Sequence, residues 1–93
     1  MESDRELERL RAAMDVCNLR LLTVLQERAR LVMTIGDWKR RHGMGAADPA
    51  REVAMLGKVL EQAVPGGFSA AALASIFGAV FAASRALVEA HGP

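Results

Sequence analysis

The hydrophobic residues in the first half of the chain follow a seven-residue repeat. Two interleaved series carry it, Leu7, Met14, Leu21 and Ile35 in one and Leu10, Cys17, Val24, Leu31 and Trp38 in the other. Apolar side chains at this spacing line one face of a helix, which we term the heptad seam. The pattern predicts one long amphipathic helix over about residues 5–41.

Arg28 interrupts the seam at a position where the repeat predicts Leu or Ile. A guanidinium group stays charged and is costly to bury unless anions meet it. We therefore expect an anionic group to meet Arg28.

The predicted helix is too long for a small globular chain. At 1.5 Å per residue, a run of roughly 35 residues extends about 50 Å, whereas a compact chain of this length has a radius of gyration of about 12–13 Å. A second copy related by a two-fold axis would cover the seam. In an antiparallel pair of such helices, Arg11 of one copy can approach Arg28 and Lys39 of the other and form a shared cationic pocket.

Capping signals predict two further helices. Asp48 as N-cap and Pro49 at the first helical position start a helix over about residues 49–63. After the Pro65-Gly66-Gly67 turn, Ser69 is the expected N-cap of a third helix over about residues 69–90.

The first helix has signals at both of its ends. Ser3 or Asp4 is the expected N-cap, and Gly43 or Gly45 the expected terminator. Gly36, inside the helix, is expected to mark close packing by another element.

Together these elements predict an all-α fold, with residues 1–93 as a single domain of three helices that intertwines with a second copy as a homodimer. The third helix is apolar nearly all round until Ser84. We expect it to be packed between other helices and not to span a membrane.

Composition and charge narrow the function. The formal net charge is +1, which gives no field that would recruit nucleic acid or an anionic membrane. The lone Cys17 excludes a disulfide framework and is expected to be a buried small hydrophobe. There is no glycine-rich phosphate loop, no metal-ligand spacing and no nucleophile with a suitable base, so we expect no metal or cofactor. The charged N-terminal segment is unlike a secretory signal, and a cytoplasmic location is expected.

What remains is a set of cations and hydrogen-bonding groups on all three predicted helices: Arg11, Arg28, Lys39 and Arg51, with Asp48, Glu52 and Ser84. Such a set can bind a small polyanion and stabilise a redistribution of charge without proton transfer. Taken singly, Arg11, Lys39 and Arg51 are equally typical of solvated helix surfaces. Only Arg28 is unusual by its position alone.

The order of these residues resembles the all-helical class of chorismate mutases from Glu6 to about Glu89. The resemblance rests on Leu10-Arg11 with Met14-Asp15, Leu21-Leu22-x-x-Leu25-x-x-Arg28, Ile35-Gly36-x-x-Lys39, Asp48-Pro49-x-Arg51-Glu52, and Ile76-Phe77 with Ser84. Asp15-x-x-Asn18 and Pro65-Gly66-Gly67-Phe68 are closest to the mutase domains associated with the DAHP synthase that opens the shikimate pathway. That synthase is therefore a candidate partner.

The resemblance implies an intertwined homodimer that converts chorismate, a dicarboxylate, to prephenate by a [3,3] rearrangement. It implies that Arg11 of one subunit and Arg28 of the other hold carboxylates, and that Lys39 reaches the ether oxygen and a carboxylate. The same resemblance assigns the ring hydroxyl to Asp48 and Glu52 and the rest of the polar lining to Arg51 and Ser84.

Val88 departs from the family pattern, in which Gln or Glu commonly supplies a second donor to the ether oxygen. Glu89 is about 100° further round an ideal helix and is not expected to replace it. Val88 leaves three alternatives open: a weak mutase, a mutase of a related substrate such as 4-amino-4-deoxychorismate, or a regulatory module of the synthase. A helical dimerisation domain without a ligand would leave Arg28 unexplained.

Overall fold

A computed structural model describes residues 2–91 as three α-helices joined by turns: α1 (Glu2–Arg41), α2 (Pro49–Leu60) and α3 (Ala70–Ala90). The described residues contain no strand, so the all-α prediction is confirmed. The chain divides into two compact units, the first ending at Leu31 and the second beginning at Val32.

The first unit is the part of α1 that carries most of the heptad seam. Its seam residues face solvent in the single chain: Met14 is 60% exposed and Leu31 62% exposed, and Cys17 is exposed as well. The expected burial of Cys17 is therefore not achieved within one chain.

The N-terminus of α1 differs from the prediction. The helix begins at Glu2, so Ser3 and Asp4 lie inside its first turn instead of capping it. Glu2 and Asp4 still favour the helix there, because negative charge near a helix N-terminus interacts well with the helix dipole.

The C-terminus of α1 is closed by a Schellman motif. The Met44 N–H donates to the Lys39 carbonyl at 2.8 Å, and the Gly43 N–H donates to the Arg40 carbonyl at 3.2 Å. Gly43 has a φ of 67°, a left-handed conformation that glycine adopts without strain. Of the two glycines expected to end the helix, Gly43 therefore does so.

Local chemistry also sets α2 and the turn after it. The Asp48 side chain accepts a hydrogen bond from the Arg51 N–H, which confirms the predicted N-cap. The helix ends at Leu60, three residues before the predicted end, and a turn follows. The Gly67 N–H donates to the Val64 carbonyl at 3.1 Å, and Gly66 has the positive φ of 81° that a type II turn requires.

The second unit has a small core centred on α3. Ser69 caps this helix as predicted, accepting from the Ala72 N–H. Phe81 is the only buried large hydrophobic side chain among the described residues, and its ring lies 6.3 Å from that of Phe77. The helices of this chain therefore do not enclose α3 as the sequence predicted. By length and composition alone, α3 would also be able to cross a membrane.

Candidate functional site

Two carboxylates on the first turns of α2 are each paired with a cation from another helix of the second unit. Lys39 Nζ, on α1, lies 3.8 Å from Asp48 Oδ2. Arg85 Nη1, on α3, donates to Glu52 Oε1 at 2.5 Å. The two ion pairs bring charged groups of all three helices to one end of α2.

Asp48 and Lys39 are held in different ways. Asp48 uses Oδ1 to cap α2, accepting from the Arg51 N–H at 3.2 Å, which leaves Oδ2 directed at Lys39. The Lys39 side chain is only 17% exposed, whereas that of Asp48 is 49% exposed. Lys39 is thus a largely desolvated ammonium group, and a cation in such surroundings interacts more strongly with an anionic ligand than one in bulk water.

Lys39 also borders a groove of about 350 Å³, lined by Gly36, Lys39, Arg40, Met44, Ala46, Val88 and Glu89. Val88 therefore lies on the same concave surface as Lys39, next to the cation expected to contact substrate. Glu89, which the sequence argument set aside, borders the groove too. The groove thus has an apolar side chain at the position where relatives carry a hydrogen-bond donor.

The other polar candidates in the second unit lie on α2 and α3. Ser84 is half-buried and donates its hydroxyl hydrogen to the Val80 carbonyl at 2.8 Å. Arg51 is exposed on α2. Both stay predicted site residues on the strength of the resemblance.

Arg11 and Arg28 belong to the first unit. Arg11 is exposed, and Arg28 is half-buried on α1. Their expected meeting across two subunits stays a prediction.

Arg85 is the residue that the sequence argument missed. It is separated from Glu52 by 33 residues, and only folding brings the two together. One signal was available, because Arg85 and Glu89 are the only charged residues of α3. A cation on so apolar a helix is expected to have a specific partner.

Metal chemistry has no visible site in this part of the chain. Residues 2–91 hold no group of three or more His, Cys, Asp or Glu side chains arranged to bind a metal ion.

Comparisons with known proteins agree on one family. The family model described as "Chorismate mutase type II" matches residues 10–89. Form II of the chorismate mutase from Thermus thermophilus is 34% identical, covers 90% of this chain and 94% of its own, and superposes with a TM-score of 0.85. Form I of that enzyme is 34% identical over 85% of this chain and 98% of its own, with a TM-score of 0.81. None of the curated proteins compared with the chain matches it.

Proposed function

This chain belongs to the chorismate mutase type II family, and we propose that it rearranges chorismate to prephenate in a site shared by two copies of the chain. The matched region, residues 10–89, includes every candidate site residue. The observation that carries the proposal is the largely desolvated Lys39, 3.8 Å from Asp48 and on the border of a groove.

The reaction needs positioning and charge stabilisation only. As the ether C–O bond breaks and the new C–C bond forms, negative charge develops on the ether oxygen. Lys39 Nζ is a donor suited to that oxygen, and removing one preorganised donor of this kind typically slows a reaction by about 10²–10³-fold. No proton is transferred, so the reaction does not require a general base.

The two carboxylates of chorismate would be held by arginines. We propose Arg28 of one subunit and Arg11 of the partner subunit for this role, since a guanidinium binds a carboxylate through two parallel hydrogen bonds. Holding both carboxylates selects the compact conformer in which the reacting carbons are close. The half-burial of Arg28 in the seam supports this assignment.

A homodimer follows from the same proposal and is typical of the family. It is supported by the exposed seam of α1, where Leu21 is 57% and Val24 58% exposed, and by the few buried residues of α3. A second copy would cover both surfaces. Sedimentation equilibrium at micromolar concentration should give about twice the chain mass of 10.0 kDa; a monomer at all concentrations would contradict the shared site.

Val88 favours a second candidate function, because it puts an apolar side chain beside Lys39. In that case the chain binds chorismate with little turnover and regulates a shikimate-pathway synthase, or it prefers 4-amino-4-deoxychorismate. Calorimetric binding of chorismate without turnover, followed by a rise in turnover when DAHP synthase is added, would favour the regulatory module. A higher kcat/KM for the amino analogue would favour the altered substrate.

The first test is the loss of chorismate absorbance with purified protein. Arg28→Ala should reduce kcat/KM by at least about 100-fold, since a buried carboxylate would lose its charged partner. Arg30→Ala is the matched control, because Arg30 lies on the same helix but off the heptad seam. Turnover that survives Arg28→Ala would contradict the assigned site.

A further inference from the structure

We propose that Arg85 is a positioning residue that orients the Glu52 carboxylate for substrate and offsets its negative charge. This inference rests on the proposed function, because it concerns how Glu52 meets the ring hydroxyl of chorismate. Arg85 itself is not assigned any contact with substrate.

The contact between the two side chains is short and joins two helices. Arg85 Nη1 on α3 donates to Glu52 Oε1 on α2 at 2.5 Å. Hydrogen bonds between ionised partners are shorter and stronger than neutral ones. The Glu52 side chain is 28% exposed and that of Arg85 50% exposed, so the carboxylate is the more enclosed of the two groups.

The arrangement leaves Glu52 able to bind a hydroxyl group. Asp48 and Glu52 are four residues apart at the start of α2, a spacing that puts side chains on one helix face. A carboxylate offers two oxygens and about four lone-pair sites. With Oε1 held by Arg85, Oε2 can accept a hydrogen bond from the substrate hydroxyl in a defined direction.

Charge gives Arg85 its second effect. Chorismate is a dianion, so a carboxylate beside its ring repels it unless a cation compensates. Arg85 makes the pair with Glu52 neutral overall. Because the repulsion acts on bound substrate and on the transition state alike, losing Arg85 should raise KM much more than it lowers kcat.

Fold stability is a weak reason for this contact. Exposed ion pairs typically contribute about 0–1 kcal/mol. The chain offers a matched comparison in Arg9 Nη2 and Glu6 Oε1, an exposed pair at 2.6 Å that lies on α1. Arg9→Ala removes the same kind of interaction from a place with no assigned role in the site.

The experiment measures kcat and KM for chorismate in the full chain and in Arg85→Ala, Arg85→Lys and Arg9→Ala. Arg85→Ala should raise KM by about five- to tenfold, the loss of one charged hydrogen bond, with kcat changed less than about twofold. Arg85→Lys should restore most of the affinity, because it keeps the cation. Arg9→Ala should leave both constants unchanged.

A double-mutant cycle with Glu52→Gln identifies the route of the effect. In the Glu52→Gln background, Arg85→Ala should no longer raise KM, since no carboxylate is left to orient or to compensate. Additive effects of the two substitutions, or an Arg85→Ala variant indistinguishable from Arg9→Ala, would overturn the proposal.

Failure of the proposed function gives a different result. It would appear as absent turnover in the unmodified protein, whereas failure of the Arg85 role leaves turnover intact and insensitive to the substitution. If turnover is absent, the same variants are compared by the calorimetric Kd for chorismate. The same pattern is expected in Kd, and equal Kd values for Arg85→Ala and Arg9→Ala would overturn the role of Arg85.

Discussion

Val88 packs directly on Gly36. A Cβ added to Gly36 would stand 3.4 Å from Val88 Cγ1 and 3.7 Å from Val88 Cγ2. Gly36 is buried and, like Val88, borders the groove that contains Lys39. The close approach expected from a glycine inside α1 is therefore an α1–α3 contact next to the candidate site, and the sizes of residues 36 and 88 control it.

Gly36→Ala should be tolerated. The added methyl group would lie at ordinary van der Waals distance from Val88, and replacing glycine in a helix interior by alanine is worth up to about 1 kcal/mol. Gly36→Leu should instead lower the free energy of unfolding by about 1–3 kcal/mol, because the larger side chain collides with Val88. Urea denaturation followed by circular dichroism measures both changes.

A second-site change tests whether Val88 is the residue that collides. Val88→Ala in the Gly36→Leu background should recover part of the lost stability, since it removes the two methyl groups that face residue 36. Equal destabilisation with and without Val88→Ala would place the collision elsewhere.

Val88→Gln should raise kcat for chorismate by at least about tenfold. The amide would restore a second donor beside Lys39, and a donor of this kind is commonly worth about 10²–10³ in rate. Val88→Leu is the control, because it enlarges the side chain without adding a donor. Equal rates for the two variants would mean that the groove is organised around an apolar residue.

The sequence predicts best where a few neighbouring residues determine the structure. Asp48 and Ser69 cap their helices as predicted, because an N-cap depends only on the next three residues. The predicted ends near 5 and 63 were wrong by three residues each: α1 starts at Glu2 and α2 stops at Leu60. No proline or glycine enforces a boundary at either place, and helix ends without such residues are poorly defined by sequence.

Contacts between distant residues were harder to predict. The Lys39–Asp48 ion pair came within reach because both residues belong to a recognisable pattern. Arg85 and Glu52 have no such pattern to link them, and neither residue type nor spacing indicates their contact. The enclosure of α3 was predicted but is not achieved by one chain, because covering so apolar a helix needs surfaces that three helices do not supply.

Asp48 should separate into a structural and an electrostatic role. Asp48→Ala removes both the cap on the Arg51 N–H and the partner of Lys39, and loss of a cap costs about 0.5–2 kcal/mol. Asp48→Asn should keep stability within about 0.5 kcal/mol, because asparagine caps as well as aspartate, yet it should weaken chorismate rearrangement. Ser69→Ala is the control, since it removes a cap from α3 without changing a charge.

Arg9 lowers the pKa of Glu6 through their side-chain hydrogen bond. The folded-state pKa is therefore depressed, so any stabilisation by this pair is present above the ordinary pKa of Glu and is lost as the pH falls through the depressed value. Arg9→Ala should raise the Glu6 pKa towards its ordinary value in an NMR titration of the carboxyl carbon. An unchanged pKa would mean that the pair does not persist in solution.

Leu21→Lys tests the heptad seam itself. Leu21 is 57% exposed in the single chain, so in a monomer a lysine there would be tolerated with little change in stability. In a dimer it would place an unpaired ammonium group in an apolar interface, which costs several kcal/mol. We therefore expect Leu21→Lys to sediment near 10 kDa and to lose chorismate turnover, because Arg11 of the partner subunit is no longer supplied.

Gln26→Lys adds the same charge to α1 at a position off the seam and should stay dimeric and active. The contrast between the two lysines depends on which face of α1 is buried and not on net charge. If Leu21→Lys keeps the mass and turnover of Gln26→Lys, then the seam is not the subunit interface. Arg11 and Arg28 would then lack a common site, and the anion that meets Arg28 would have to be sought within its own chain.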